Sequence, residues 1–119
     1  MSPTKKYTWH RIAETVENID WQSNGMCIVE VGGKKLSVAL FRDELYAFAY
    51  KCPHAGGIMA HGFIDESGKV VCPLHRYKFD MTNGRNTSGE GYYLQTYLIE
   101  ARKEGIFIGI EDRGFLNRI

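Results

Sequence analysis

Long apolar runs are missing from this chain of 119 residues. No stretch of about 18 apolar residues exists, which excludes a helical membrane span. The first nine residues carry Lys5 and Lys6 with no apolar segment behind them, so no secretory signal is expected. An excess of charge of one sign is missing too. Fifteen Lys and Arg stand against 14 Asp and Glu, for a net +1, and a nucleic-acid-binding chain would need a basic face. No segment repeats apolar residues at the three-to-four-residue spacing of a helix. A Gly-rich phosphate loop and a nucleophile–base motif are absent, as are repeats and low-complexity tracts. Cysteine and proline are scarce, at three each. Few cysteines and no signal point to a reducing, cytoplasmic setting.

What remains is a short chain rich in strand formers. Hydrophobic residues make up 44% and charged residues 24%, ordinary values for one soluble domain spanning residues 1–119. Residues 6–12 read as an entering strand, with Trp9 in the core and His10 exposed. Residues 13–25 read as polar and irregular, ending in a Ser23-Asn24-Gly25 turn. Met26–Val31 and Lys34–Phe41 read as strands around a Gly32-Gly33 hairpin turn. In the second of them Leu36, Val38 and Leu40 alternate with Lys35, Ser37 and Ala39. After the polar turn Arg42-Asp43-Glu44, residues 45–50 read as the next strand. Residues 59–64 and Lys69–Val71 read as a hairpin around 65–68. Residues 77–81, 92–102 and 106–110 read as further strands. An Asn83-Gly84 turn and a glycine-rich loop over 85–91 separate the first two. Short strands with frequent turns predict an antiparallel all-β domain.

Two stretches carry the chemistry: Cys52-Pro53-His54-Ala55-Gly56-Gly57 and Cys72-Pro73-Leu74-His75-Arg76-Tyr77-Lys78-Phe79-Asp80. Each pairs a thiolate donor with an imidazole donor, a set that suits iron or zinc. Pro53 and Pro73 follow the cysteines, where a fixed φ and a missing N–H suit a tight loop. Gly56 and Gly57 permit close backbone approach. A Cys₂His₂ zinc site is one reading, although zinc fingers pair like with like and C-x-H is an unusual zinc spacing. A Cys52–Cys72 disulfide is another, and it leaves both histidines unexplained. Cys27, inside Met-Cys-Ile-Val, reads as a small core hydrophobe.

The C-x-H, seventeen residues, C-x-x-H arrangement resembles the small Rieske-type ferredoxins. The resemblance covers about residues 6–110 and implies a β-sandwich base with an inserted cluster-binding subdomain at about 51–80. It implies a [2Fe-2S] cluster held by Cys52 and Cys72 on one iron and by His54 and His75 on the other. Two neutral imidazoles in place of thiolates leave the oxidised cluster uncharged, so an electron is accepted at roughly −150 to +300 mV rather than about −400 mV. It further implies a one-electron carrier between a flavin-dependent reductase and a terminal oxygenase, with no substrate chemistry of its own. The small subunits of assimilatory nitrite reductases, which work beside a large sirohaem subunit, are also similar. A terminal oxygenase is not expected, because nothing remains to build its catalytic domain. His61 matches no ligand position. Respiratory Rieske proteins add a disulfide between the cluster loops, and neither loop here has the extra cysteine.

Three departures from the family stand out. High-potential members place serine and tyrosine hydroxyls two and four residues after the last ligand histidine. Tyr77 and Phe79 stand there, so a potential near the negative end of the range is expected, flat around pH 7. Arg76 replaces a frequent glycine and reads either as a docking charge or as a solvated one. The segment Ser88-Gly89-Glu90-Gly91 lacks the proline of the usual cover over the cluster, so a looser or differently shaped cover is expected. The tail over 111–119, with Phe115, Leu116 and Ile119, is expected to pack on the body or to meet a partner.

Overall fold

A computed structural model describes residues 5–112. Phe115, Leu116 and Ile119 lie outside the described residues. Nine strands form: β1 Tyr7–Ala13, β2 Met26–Val31, β3 Lys34–Phe41, β4 Glu44–Ala49, β5 Phe63–Ile64, β6 Lys69–Val71, β7 Lys78–Asp80, β8 Thr96–Arg102 and β9 Gly105–Glu111. No α-helix occurs among the described residues, and no helix there is long and apolar enough to cross a membrane.

Six strands build the base, in the order β1-β9-β8-β4-β3-β2, all antiparallel. The seam between β4 and β8 is short, with Ala47 opposite Tyr97 and Phe48 opposite Thr96. On either side of it stand two three-stranded layers. Turn chemistry sets the hairpins. Gly32 and Gly33 both take positive φ, 58° and 79°, as a two-residue turn between right-twisted strands requires. Arg42 and Asp43 do the same between β3 and β4, at φ 50° and 66°, without glycine. The Arg42 guanidinium donates to the Glu66 carbonyl at 3.0 Å and makes a cation–π contact with Phe41, which hold the side chain there.

The middle layer has two covered faces, which the alternating pattern of β3 did not reveal. Leu36 and Val38 face one core with Cys27, Val31, Ala47, Ile106 and Ile108. Ala39, Met26 and Phe48 face the other, with Met59, Val70, Phe79, Met81, Leu94 and both loop cysteines. Ser37 is therefore buried as well, and its hydroxyl donates to the Ala49 carbonyl at 3.1 Å. The second core seats the remaining sheet, β5-β6-β7, on the base. Burying a side chain such as Phe48 contributes about 1.5–3 kcal/mol. Polar clamps add direction. Gln22 and Asn24 donate to the Ala60 carbonyl at 2.7 and 2.8 Å, and Asn24 also to the Gly62 carbonyl at 2.9 Å.

Four local expectations need correction. Met59–His61 is a 3-10 turn, so a strand survives only at 63–64. Met59 and Ala60 are both buried in this turn. Residues 92–95 do not continue β8: Tyr93 bridges to Arg85, and the Leu94 N–H donates to the Gly84 carbonyl at 2.9 Å. The pattern runs on through Thr96 while the partner changes. Trp9 is half-buried, with the Arg102 guanidinium 4.4 Å above its ring, and His10 is half-buried beside Gly32. Residues 13–25 contain a 3-10 turn, Val16–Asn18, braced by the Trp21 indole on the Val16 carbonyl at 3.0 Å.

Candidate metal centre

Both candidate loops are closed by the same hydrogen bond. The Cys52 N–H donates to the Gly57 carbonyl at 2.7 Å, and the Cys72 N–H donates to the Tyr77 carbonyl at 2.9 Å. One step further out, Lys51 bridges to Ile58, and Val71 pairs with Lys78. Each loop thus presents four residues between two ladder positions, with its cysteine at the root. The fourth position takes positive φ in both: Gly56 at 74° and Arg76 at 58°. His75, just before Arg76, is also left-handed at 62°. Such a conformation costs an ordinary L-residue about 1–2 kcal/mol. Arg76 is exposed.

The candidate side chains lie as two neighbouring pairs, cysteine with cysteine and histidine with histidine, graded by depth. Cys52 and Cys72 are buried free thiols, not joined to each other. Burial pushes the Cys72 thiol well above its ordinary value; a backbone hydrogen bond at Leu74 lowers it, and the neighbouring Cys52 sulfur raises it again. A bound cation would favour the thiolate form of both neighbouring sulfurs. His54 is half-buried and His75 is exposed, with ring centroids 4.9 Å apart. Cys27 lies in the other core, and burial pushes its thiol up to about 11, with the Asp20 charge raising it further. His61 is exposed on the 3-10 turn.

Two observations test whether this set fits a metal cluster. The Nδ1 atom of His54 is buried and has no hydrogen-bond partner. An orphaned buried nitrogen is costly, and a metal bond removes the cost. Gly57 leaves no space for a side chain: an ideal Cβ there would lie 3.0 Å from the Cys72 sulfur and 3.0 Å from Leu74 Cγ. The donors fit an [2Fe-2S] group with sulfurs inside and imidazoles outside.

Aromatic rings surround His54, and residue patterns gave no warning of this. Tyr77 lies 3.9 Å away at 30°, and Tyr92 lies 5.4 Å away at 60°. The two tyrosines are 5.7 Å apart. The sequence pattern marks Tyr77 only for its hydroxyl and puts Tyr92 in a strand. An aromatic residue just after a glycine-rich loop was the available signal. Phe79 is wholly buried and belongs to the core. The proline-free cover has its own brace, built on Asn86. The Asn86 amide reaches the Lys78 carbonyl at 3.0 Å and Glu90 Oε1 at 3.0 Å, and its oxygen accepts the N–H groups of Glu90 and Gly91. The Glu90 carboxyl is held below its ordinary value by the Ser88 hydroxyl first, then by Asn86.

Comparison with known proteins agrees with this geometry. Residues 8–96 match the Rieske [2Fe-2S] domain family. The ferredoxin component of the naphthalene 1,2-dioxygenase system of Pseudomonas aeruginosa is 39% identical over 57 residues, covering 48% of this chain and 54% of that protein. The ferredoxin component of the alkene monooxygenase system of Xanthobacter autotrophicus is 22% identical over 86 residues, covering 72% and 70%. This chain spans about half the length of the first curated relatives it matches. Among solved structures, the ferredoxin of carbazole 1,9a-dioxygenase from Nocardioides aromaticivorans IC177 superposes with a TM-score of 0.73 at 24% identity, over 85% of this chain and 96% of that one. A protein described as an NADH-dependent nitrite reductase small subunit from Mycobacterium tuberculosis gives 0.71 at 16% identity, over 91% and 97%. These two likenesses concern the fold. With the match over most of its length, the chain belongs to the Rieske [2Fe-2S] domain family.

Proposed function

We propose that this protein is a one-electron carrier whose cluster is held by Cys52, Cys72, His54 and His75. In this reading one domain does the work, with residues 51–80 carrying the site. The observation that carries it is the graded burial: thiols at the floor, one imidazole half-covered, one exposed. When bound, the cluster supplies a reversible one-electron couple. The chain supplies the rest. Cys52 and Cys72 fix the inner end, His54 offers its orphaned Nδ1, and His75 brings the outer end to the surface, where an electron has a short route to a partner. One partner is a terminal oxygenase, as the dioxygenase-type relatives suggest, and the other is a flavin-dependent reductase. The setting is cytoplasmic.

A second reading, the small subunit of a nitrite reductase, is favoured by the likeness over 91% of the chain noted above. Co-purification with a large sirohaem protein would select it over the oxygenase system.

Spectroscopy of anaerobically purified protein tests the carrier reading. A Rieske-type paramagnetic signal is expected after reduction, with a midpoint below zero, near the negative end of the roughly −150 to +300 mV range. Cys52→Ser and Cys72→Ser are expected to lose the signal, and Cys27→Ser to keep it. A colourless, zinc-loaded wild type would overturn the reading.

A further inference from the structure

The two outer histidines occupy unequal surroundings. His75 stands on an exposed loop tip between Leu74, 44% exposed, and the exposed Arg76. His54 is packed among rings. Tyr77 stacks on it at 3.9 Å, and Tyr92 closes from the side at 5.4 Å. His75 is farther from Tyr77, at 6.4 Å. Tyr92 is 41% exposed, so one edge of it forms the outer wall of this packing.

Neither tyrosine hangs free. Tyr77 sits at the closing position of the second loop, where its carbonyl accepts the Cys72 N–H. Tyr92 follows the braced segment 86–91. The Thr87 N–H donates to the Lys78 carbonyl at 2.9 Å, the Lys78 N–H donates to the Ser88 hydroxyl at 2.9 Å, and Asn86 ties Glu90 and Gly91. Tyr93 is bridged to Arg85 on the other side. The backbone on both sides of position 92 is thereby braced. Ring contacts prefer particular mutual orientations, so the two tyrosines favour one orientation of the imidazole.

We propose that Tyr77 and Tyr92 are positioning residues that clasp His54, exclude water from its side of the centre, and leave His75 as the imidazole that meets a partner. This rests on the carrier reading and deepens it. The cluster gains negative charge on reduction, and nearby water stabilises that charge. A dry clasp on one histidine therefore holds the potential down, the same direction as the missing serine and tyrosine hydroxyls.

The test compares cluster-loaded wild type, Tyr92→Phe, Tyr92→Ala and Tyr77→Ala. Pulsed EPR of the reduced centre reads deuterium modulation after exchange into D₂O and the nitrogen couplings of the two histidines; a titration reads the midpoint. Tyr92→Ala and Tyr77→Ala are expected to deepen the deuterium modulation, change the coupling of one histidine only, and raise the midpoint. Tyr92→Phe keeps the ring and is expected to match wild type. Unchanged modulation and couplings in both alanine variants would overturn the clasp while the wild-type signal leaves the carrier reading standing. Equal changes at both histidines would overturn it too. A wild type without a Rieske signal would remove the carrier reading itself and the clasp with it.

Discussion

The two ligand loops are copies of one backbone plan written in different residues. In both, the cysteine N–H closes a hydrogen bond onto the residue five places later, and the fourth loop position is left-handed. The first loop fills that position with Gly56 and then needs a second glycine for space. The second loop fills it with Arg76, preceded by a left-handed His75. Adjacent glycines in the first loop thus answer different demands. At Gly56 the φ is 74° and a Cβ would meet nothing within 4 Å. Gly57 has no left-handed φ, but a Cβ would press on Cys72 and Leu74 across the gap between loops. Conformation rules one position and room rules the other. The second loop tolerates strain because β6 and β7 flank it on both sides.

The largest effect is expected where the loops touch. Gly57→Ala must displace the Cys72 sulfur or Leu74, an overpacking cost of about 1–3 kcal/mol. Cys72 is a proposed ligand and Leu74 adjoins another, His75, so cluster content per chain should fall well below wild type, measured as iron and acid-labile sulfide. Full occupancy in this variant would show that the loops do not share a close-packed floor. Gly56→Ala tests conformation alone. It should cost about 1–2 kcal/mol of stability with cluster content nearly kept, a drop of about 3–8 °C in Tm. Arg76→Gly is its mirror image. Relief of about 1–2 kcal/mol of left-handed strain is offset by about 0.5–1 kcal/mol of unfolded-chain entropy. Thermal unfolding should show a gain of up to about 1.5 kcal/mol. A loss on Arg76→Gly would mean that the arginine side chain itself stabilises the loop.

The difference between the loops also explains what could be read in advance. The spacing of cysteines and histidines was legible because ligand chemistry demands particular residue types, and loops brought together by a hairpin keep them near in sequence. The bounds of β2 and β3 were legible because Gly32-Gly33 admits few conformations. The 3-10 turn at Met59–His61 was not, since Met59 and Ala60 are apolar neighbours buried by a core assembled from distant strands. Residues 92–95 were not, because a change of partner from Gly84 and Arg85 to β4 and β9 leaves no local mark. The left-handed φ of His75 and Arg76 contradicts residue preference, and it follows from loop closure at Cys72. The rings around His54 and the Asn24 clamp arise through space between segments far apart in the chain.

The hairpin bearing the second loop is also the one held by charge. At its far turn Asp65 accepts the N–H groups of Ser67 and Lys69, both at 3.0 Å, and the Ser67 hydroxyl at 2.8 Å, and it pairs with Lys78 at 3.4 Å. A second pair, Lys69 with Asp80 at 3.9 Å, spans β6 and β7. Burial raises the Asp65 carboxyl, but the hydrogen bonds and Lys78 outweigh it and bring it from 3.8 to about 2. Because the folded value is the lower one, the folded protein binds this proton less readily than the unfolded chain. The contribution is therefore complete above about pH 4 and is lost as pH falls toward about 2. The first loop has no such carboxylate at its root, where Lys51 meets Ile58. Wild type and Asp65→Asn should differ in stability by a constant amount at pH 5 and above, with the gap closing between about pH 4 and 2. Protection against hydrogen exchange, taken relative to the intrinsic rate at each pH, should fall at the amides of 69–71 and 78–80 over the same window while that of 51–58 follows global unfolding alone. Equal loss of protection in both segments would mean that the hairpins open as one unit and that their different fastenings do not divide them.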